Sequence, residues 1–201
     1  MRPLALWVLE LLPPGDPWNV TYTNAVPHQF FAAGSTRDFK EYFSGRSRVD
    51  VQTLEDICSW LLECEFKTDL ELFQQPDFWQ HPLTFEQVRQ GDCDDHALWA
   101  WRKLVELGKE AEFFSGMRLE PDGSWQGHAW VTLRDGDSAV VLEAAEKLRE
   151  NMIVPLATAK ARLRPHFAVD GALKTRAYDG WLQSLVEGRR RARARGAGAA
   201  A

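Results

Sequence analysis

The chain has 201 residues, 45% of them hydrophobic and 26% charged, which suits one globular domain with a core of useful size. The net charge is -5, yet the stretch GRRRARARGAGAAA (188–201) carries Arg189, Arg190, Arg191, Arg193 and Arg195, and without those five the charge is -10. So acidic a body excludes nucleic-acid binding through the domain itself, and the stretch 188–201, with no core-forming residues, reads as a disordered Arg/Gly/Ala tail whose reach to nucleic acid or an acidic surface stays open.

The N-terminal MRPLALWVLELLPPGD holds one arginine and a short apolar run. Glu10 interrupts that run and no small-x-small cleavage site follows, so the expectation is a short core helix ended by Pro13 and Pro14. No stretch reaches the ~18 apolar residues of a membrane span. Residues 12–50 are rich in Pro, Gly, Asn and Ser and read as irregular, with a short helix near 36–43. In VQTLEDICSWLLECEF, Leu54, Ile57, Cys58 and Leu61 recur at helical spacing, which predicts an amphipathic helix with Cys58 in the core and Cys64 also structural. Three cysteines with irregular spacing give neither a disulfide framework nor a zinc motif, and point to a reducing cytoplasm.

QQPDFWQHPL (74–83) reads as a loop. Thr84 with Gln87 makes a capping box for a short helix, 85–90, ended by Gly91. A second helix begins near Cys93, buries Ala97, Leu98, Trp101, Leu104 and Val105, and exits at Leu107-Gly108. Then the period changes. AEFFSGMRL (111–119), GHAWVTLR (127–134) and AVVLEA (139–144) read as strands, the second with Ala129, Val131 and Leu133 on one face and His128, Trp130, Thr132 and Arg134 on the other. Helical patterns return at 155–163 and 178–187, and no internal repeat is present. Helices followed by an antiparallel sheet define an α+β fold.

The stretch GDCDDHALWAW (91–101) raises the functional question: Cys93 is a metal ligand, a buried thiol or a nucleophile. Asp92, Cys93, Asp94, Asp95 and His96 are too close along one helix to converge on an ion, so no metal and no cofactor is expected, and His96 reads as a packing residue. Asp92 and Asp94 read as caps of the first helical turn. The helix start favours a thiolate, whereas the three aspartates oppose it. A tight turn at Asp135-Gly136 sets Arg134 opposite Asp137 and His128 opposite Glu143, with Cβ atoms about 5 Å apart. A loop over 134–137 keeps that register; a three-residue loop moves one partner to the other face. The alternative for this pair is an exposed cross-strand ion pair.

These residues resemble the transglutaminase-like superfamily, within the papain-like cysteine proteases. Gly91, Cys93, Asp95, Ala97, Leu107-Gly108, Gly116 and His128-Ala129-Trp130-Val131 follow that family's pattern over 84–146. The resemblance implies a single transglutaminase-like domain over 1–187, with the nucleophile-bearing helix packed on a small antiparallel sheet. It implies Cys93 as nucleophile, His128 as general base and acid, and a third member on the next strand, where Glu143 stands in place of the usual Asp. It implies acyl transfer at amide bonds of a peptide or protein substrate, by hydrolysis, deamidation or transamidation. For the oxyanion, Gln87 and Gln90 are the candidate side-chain donors beside the Cys93 N–H; Trp130 is expected to flank the imidazole and border the substrate groove, with Trp99 and Trp101 in the core. The competing readings are a catalytically inactive interaction module on the same fold and a leader-peptide processing enzyme.

Overall fold

A seven-stranded antiparallel sheet organises the chain, as seen in a computed structural model that describes residues 16–23, 31–36, 38–136 and 138–198. The elements in chain order are β1 (Val20–Thr23), a 3-10 turn (Phe39–Phe43), α1 (Leu54–Leu62), β2 (Glu65–Phe66), α2 (Asp69–Phe73), α3 (Pro82–Val88), β3 (Gln90–Gly91) and α4 (Cys93–Glu106). There follow β4 (Ala111–Leu119), β5 (Trp125–Asp135), β6 (Ser138–Leu142), α5 (Arg149–Met152), β7 (Ile153–Pro155), α6 (Leu156–Ala159), β8 (Leu163–Asp170), β9 (Thr175–Tyr178) and α7 (Gly180–Gly198). Strand order is β1-β9-β8-β4-β5-β6-β7, and β2 and β3 form a separate parallel pair.

Helix α4 packs on one face of this sheet. Its Ala97, Leu98, Trp101 and Leu104 are fully buried in one core with Phe113, Val131 and Phe167. The opposite face carries its own cluster of Phe114, Trp130, Val141, Leu163, Ala168 and Tyr178. Period-2 alternation along β4 and β5 thus feeds two cores, one on each side. Helix α1 adds Ile57, Cys58 and Leu61, all fully buried, and Trp60 stacks on Trp99 with ring centroids 3.8 Å apart. Cys58 and Cys64 are core thiols, as expected.

Polar anchors fix the irregular stretch before α1. The Arg102 guanidinium donates to the carbonyls of Tyr42, Ser44 and Gly45 at 3.0, 2.9 and 2.7 Å. The Glu86 carboxylate accepts from Ser47 Oγ and Arg48 N–H, both at 2.6 Å, and from Val49 N–H at 3.1 Å. A segment with little periodicity of its own is held by charged side chains of α3 and α4.

Four expectations change. Thr84 does not cap α3: the helix starts at Pro82, with His81 as N-cap accepting the Leu83 N–H through Nδ1 at 3.2 Å. Proline at the first position presets the helical φ, so the start moves ahead of Thr84. That helix ends at Arg89, in the left-handed region at φ 56°, before Gly91 is reached. Only 156–162 of the expected helix 155–163 is helical; strands β8 and β9 follow, unforeseen because both faces of β8 are largely buried and its pattern does not alternate. The stretch 188–198, expected to be disordered, continues α7 as helix. Ala and Arg are strong helix formers, and a helix already nucleated at Gly180 extends through them at little cost. The expected helix at residues 1–12 lies outside the described residues. Among the described residues, no helix is long and apolar enough to cross a membrane.

Candidate active site

Asp92 stops β3 and caps α4. Its side chain accepts the Asp94 N–H, while the Asp95 carboxylate reaches back to the Asp92 N–H at 3.3 Å, a reciprocal capping box. Asp95 also accepts from the Gln80 backbone N–H at 2.7 Å and from Gln80 Nε2 at 2.5 Å. A Cβ on Gly91 would lie 2.2 Å from Asp95 Oδ2, so this carboxylate is why glycine precedes the cap. Residues 91–95 form a rigid corner that sets Cys93 at the first helical position, next to donors with no intrahelical acceptor.

Cys93 is half-buried and lines a cavity of about 450 Å³ with His128 and Ala129 of β5. Ala129, the residue after His128, brings its backbone to the same cavity wall. His128 Nε2 lies 2.6 Å from Glu143 Oε2, and Arg118 Nη1 stands 3.8 Å from that same oxygen. With Nε2 engaged by the carboxylate, Nδ1 is the nitrogen left to serve the thiol. Burial alone would raise Glu143, but the His128 hydrogen bond, the His128 charge, Arg118 and Arg162 hold it below the usual carboxylate value.

The hairpin reaches this pair by another register than the turn chemistry predicts. Val131 pairs with Leu142 and Asp135 with Ser138, so β6 has slid by two residues. The turn falls at Gly136, whose φ of +60° suits glycine, not at Asp135. A slip of two keeps side-chain parity, so Glu143 stays on the His128 face but lies diagonal to it. Diagonal neighbours are about 7–8 Å apart at Cα, and the extra methylene of Glu spans what Asp would leave open.

The oxyanion candidates do not reach the cavity. Gln87 is exposed on α3, and Gln90 donates to Glu65 Oε2 at 2.8 Å on the outer side of β3. Trp130 does flank the imidazole, with ring centroids 6.0 Å apart, but it is fully buried in the second core. Trp79, from the loop read as 74–83, lines the cavity instead. His96 is buried, with Nδ1 2.7 Å from the Asp92 carbonyl and Nε2 3.0 Å from Lys147 Nζ; burial and the Lys147 charge lower it to about 3.

The expectation that residues 92–96 cannot gather around an ion holds only for one helix taken alone. Asp92 has extended backbone, and Asp69 of α2 and Asp77 of the following loop join it from outside. Asp69, Asp77 and Asp94 offer oxygens within 4.8 Å of one another, as do Asp92, Cys93 and Asp94 in sulfur and oxygen. Asp69 Oδ1 and Asp94 Oδ1 are buried with no hydrogen-bond partner among the described residues. Burial first, then the Asp92 and neighbouring charges, raise Asp94 well above the carboxylate range, and burial with the Asp92 charge pushes Asp69 up to about 7. The Cys93 thiol is pushed up too, by burial and then by Asp92, against the Ala129 N–H and the Arg118 charge. A larger cleft, about 1130 Å³, lies between residues 43–52 and α4, but Arg102 and Lys103 in its wall already bond the chain at 42–49.

A cysteine on the first turn of a helix shares a cavity with a sheet strand that carries a histidine held by a carboxylate. No protein-family model and no curated protein matches the chain. Among solved structures, Legionella pneumophila LapG is similar at 21% identity over 66% of this chain and 71% of that one, with a TM-score of 0.49. Its calcium-bound form is similar at 20% identity over 65% and 71%, TM-score 0.46. A protein from Cytophaga hutchinsonii assigned provisionally as a cysteine protease is similar at 15% identity over 70% and 56%, TM-score 0.37. With TM-scores below 0.5, the reading of the site rests on this chain's own geometry.

Proposed function

We propose that the protein is a cysteine-dependent acyl-transfer enzyme acting on an amide bond of a peptide or protein, through Cys93, His128 and Glu143. The observation that carries this is the 2.6 Å contact between His128 Nε2 and Glu143, in the cavity that Cys93 also lines. Cys93 gives its proton to His128 Nδ1 as sulfur bonds to the carbonyl carbon. The resulting imidazolium is stabilised by Glu143 and protonates the departing amine as the C–N bond breaks, leaving a thioester. Water or an acceptor amine then attacks, His128 takes its proton, and that proton returns to sulfur. The Cys93 N–H, at the first turn of α4, is the backbone donor for the oxyanion.

The carboxylates beside Cys93 fit a hard divalent cation. Asp69, Asp77, Asp92 and Asp94 would hold it through oxygen, and the two unsatisfied buried oxygens are the sign of that fit. Calcium is the ion we assign. It supplies positive charge that offsets the carboxylates opposing the thiolate; every bond made or broken belongs to Cys93, His128 and the substrate. Where that charge is lacking, the raised thiol favours the second reading, a catalytically silent interaction module. The three free cysteines support the reducing cytoplasm as the compartment, which cell fractionation tests.

The test is chemical. With calcium present, iodoacetamide should alkylate Cys93 at neutral pH well before buried Cys58 and Cys64. Hydroxylamine should trap acylated enzyme as hydroxamates from a peptide pool with the wild type and not with Cys93→Ala. Equal labelling of the three cysteines, or hydroxamates from Cys93→Ala, rejects the proposal.

A further inference from the structure

Alternation along β4 puts Ala111, Phe113, Ser115 and Met117 on one face, the face that α4 covers. Ala111 and Phe113 are buried core residues there. Ser115 interrupts the apolar stripe. It pairs with Ala129 on β5 and with Phe167 on β8, both of them in the core under α4. Strand β4 is the middle strand of seven, so this serine is held from both sides. A hydroxyl on a core-facing position costs free energy unless it finds a partner. The Ser115 hydroxyl has no hydrogen-bond partner among the described residues. It is half-buried and lines the cavity that holds Cys93 and His128.

The proposed chemistry puts negative charge on a carbonyl oxygen, and the Cys93 N–H offers that oxygen one hydrogen bond. Acyl transfer is fastest where a second fixed donor meets the same oxygen. Gln87 and Gln90 stand outside the cavity. Within its wall, Asp77, Asp92 and Asp94 are carboxylates assigned to the cation. Trp79 Nε1 donates to Asp77 Oδ1 at 3.1 Å, and His166 Nε2 meets Ser184 Oγ at 2.9 Å. His128 is the proton carrier. The Ser115 O–H is the side-chain donor of this wall that no contact among the described residues has used. It stands on a strand, which fixes a donor more tightly than a loop does.

We propose that Ser115 is a catalytic residue of the Cys93 cavity, its hydroxyl donating a hydrogen bond to the carbonyl oxygen of the scissile amide as that oxygen becomes anionic. This rests on the acyl-transfer reading above and adds the side-chain donor that Gln87 and Gln90 do not supply. As sulfur bonds to the carbonyl carbon, the π pair of C=O moves onto oxygen. Ser115 stabilises the charge there and keeps its own proton. The pair returns to C=O as the C–N bond breaks and the thioester forms. The same hydroxyl serves again when water or an amine attacks the thioester.

The experiment compares two thiol reagents on the intact chain with calcium. Iodoacetamide alkylates sulfur by displacing iodide and forms no oxyanion. The ester p-nitrophenyl acetate acylates sulfur through a tetrahedral oxyanion and releases nitrophenolate, which is read by its absorbance. Ser115→Ala should leave the iodoacetamide rate at Cys93 within about twofold and lower the acylation rate by about 10²-fold, the scale of one oxyanion donor. Ser115→Thr keeps a hydroxyl at the same strand position and should recover part of that loss. A parallel fall of both rates in Ser115→Ala means that the serine only supports the fold. An unchanged acylation rate means that its hydroxyl does not meet the oxyanion. Either result overturns the proposal. A wild type whose Cys93 shows no preference over Cys58 and Cys64 toward iodoacetamide removes the acyl-transfer reading, and the role of Ser115 with it.

Discussion

Glu143 is the residue on which the proposed chemistry turns. Its carboxylate is the group that holds His128 Nε2, and it stands diagonal to the histidine. Glu143→Gln keeps the length and loses the charge that stabilises the imidazolium, so turnover should fall by about 10²-fold or more with the fold intact. Glu143→Asp keeps the charge and loses the reach; a loss close to that of Gln, in the hydroxylamine assay, is expected. Full activity in the Asp variant would show that the diagonal geometry does not matter. A second imidazole of the cavity wall, His166, gives a pH prediction. His166 is lowered to about 4 in the folded chain, against about 6.5 when unfolded, so below pH ~6.5 the unfolded state binds a proton that the folded state refuses. The sign is a loss of stability as pH falls from about 6.5 to about 4. His166→Gln should flatten that stretch of a Tm-against-pH curve, and an unchanged slope would contradict a neutral His166. Cys93 and His128 were legible from the helix start and the HAWV run. That His166 lines the same cavity was not, because a lone histidine carries no sign of where the fold places it.

Whole elements were read well where pattern and packing agree. Helices α1 and α4 and strands β4, β5 and β6 follow their periodicity. The hairpin register was read two residues off, and the His–Glu pair survived because parity did. What stayed hidden came from segments without periodicity. Asp69 and Asp77 reach the Cys93 corner from α2 and a proline-containing loop, and only folding brings them beside Asp92 and Asp94. Calcium at 100-fold over its Kd should stabilise the chain by about 2.7 kcal/mol, or about 5–10 °C in Tm, and EGTA should reverse it. Asp69→Asn, away from the sulfur, should abolish that shift; a shift that persists would remove Asp69 from the site. Residues 42–50 depend on Glu86 in the same way that the corner depends on Asp95. Glu86→Ala leaves the part-buried N–H groups of Arg48 and Val49 and the Ser47 hydroxyl without their acceptor, and should cost about 1–3 kcal/mol in a urea titration.

At the scale of the molecule, the sheet has a helix side and a second side, and the C-terminal helix joins the cavity wall to the basic stretch. Helix α7 is fastened near its start: Ser184 meets His166, and Glu187 clasps Arg164, whose guanidinium also lies 4.0 Å from the centre of the Trp125 ring. Beyond Glu187, Gly188 to Arg191 are exposed. The helix therefore carries its Ser184 and Glu187 anchors ahead of an exposed run that starts at Gly188. A chain shortened after Gly188 loses all five of the terminal arginines and shifts from -5 to -10 in net charge. It should keep the wild-type Tm and the wild-type rate of Cys93 alkylation, because the contacts of Ser184 and Glu187 remain. A chain shortened after Asp179 loses Ser184 and Glu187 together. It leaves Arg164, buried on β8, without its carboxylate, and His166 without its Ser184 hydrogen bond. That chain should melt lower. If the first truncation lowers the Tm as far as the second, the basic stretch itself fastens the helix, and the assignment of the anchor to Ser184 and Glu187 falls.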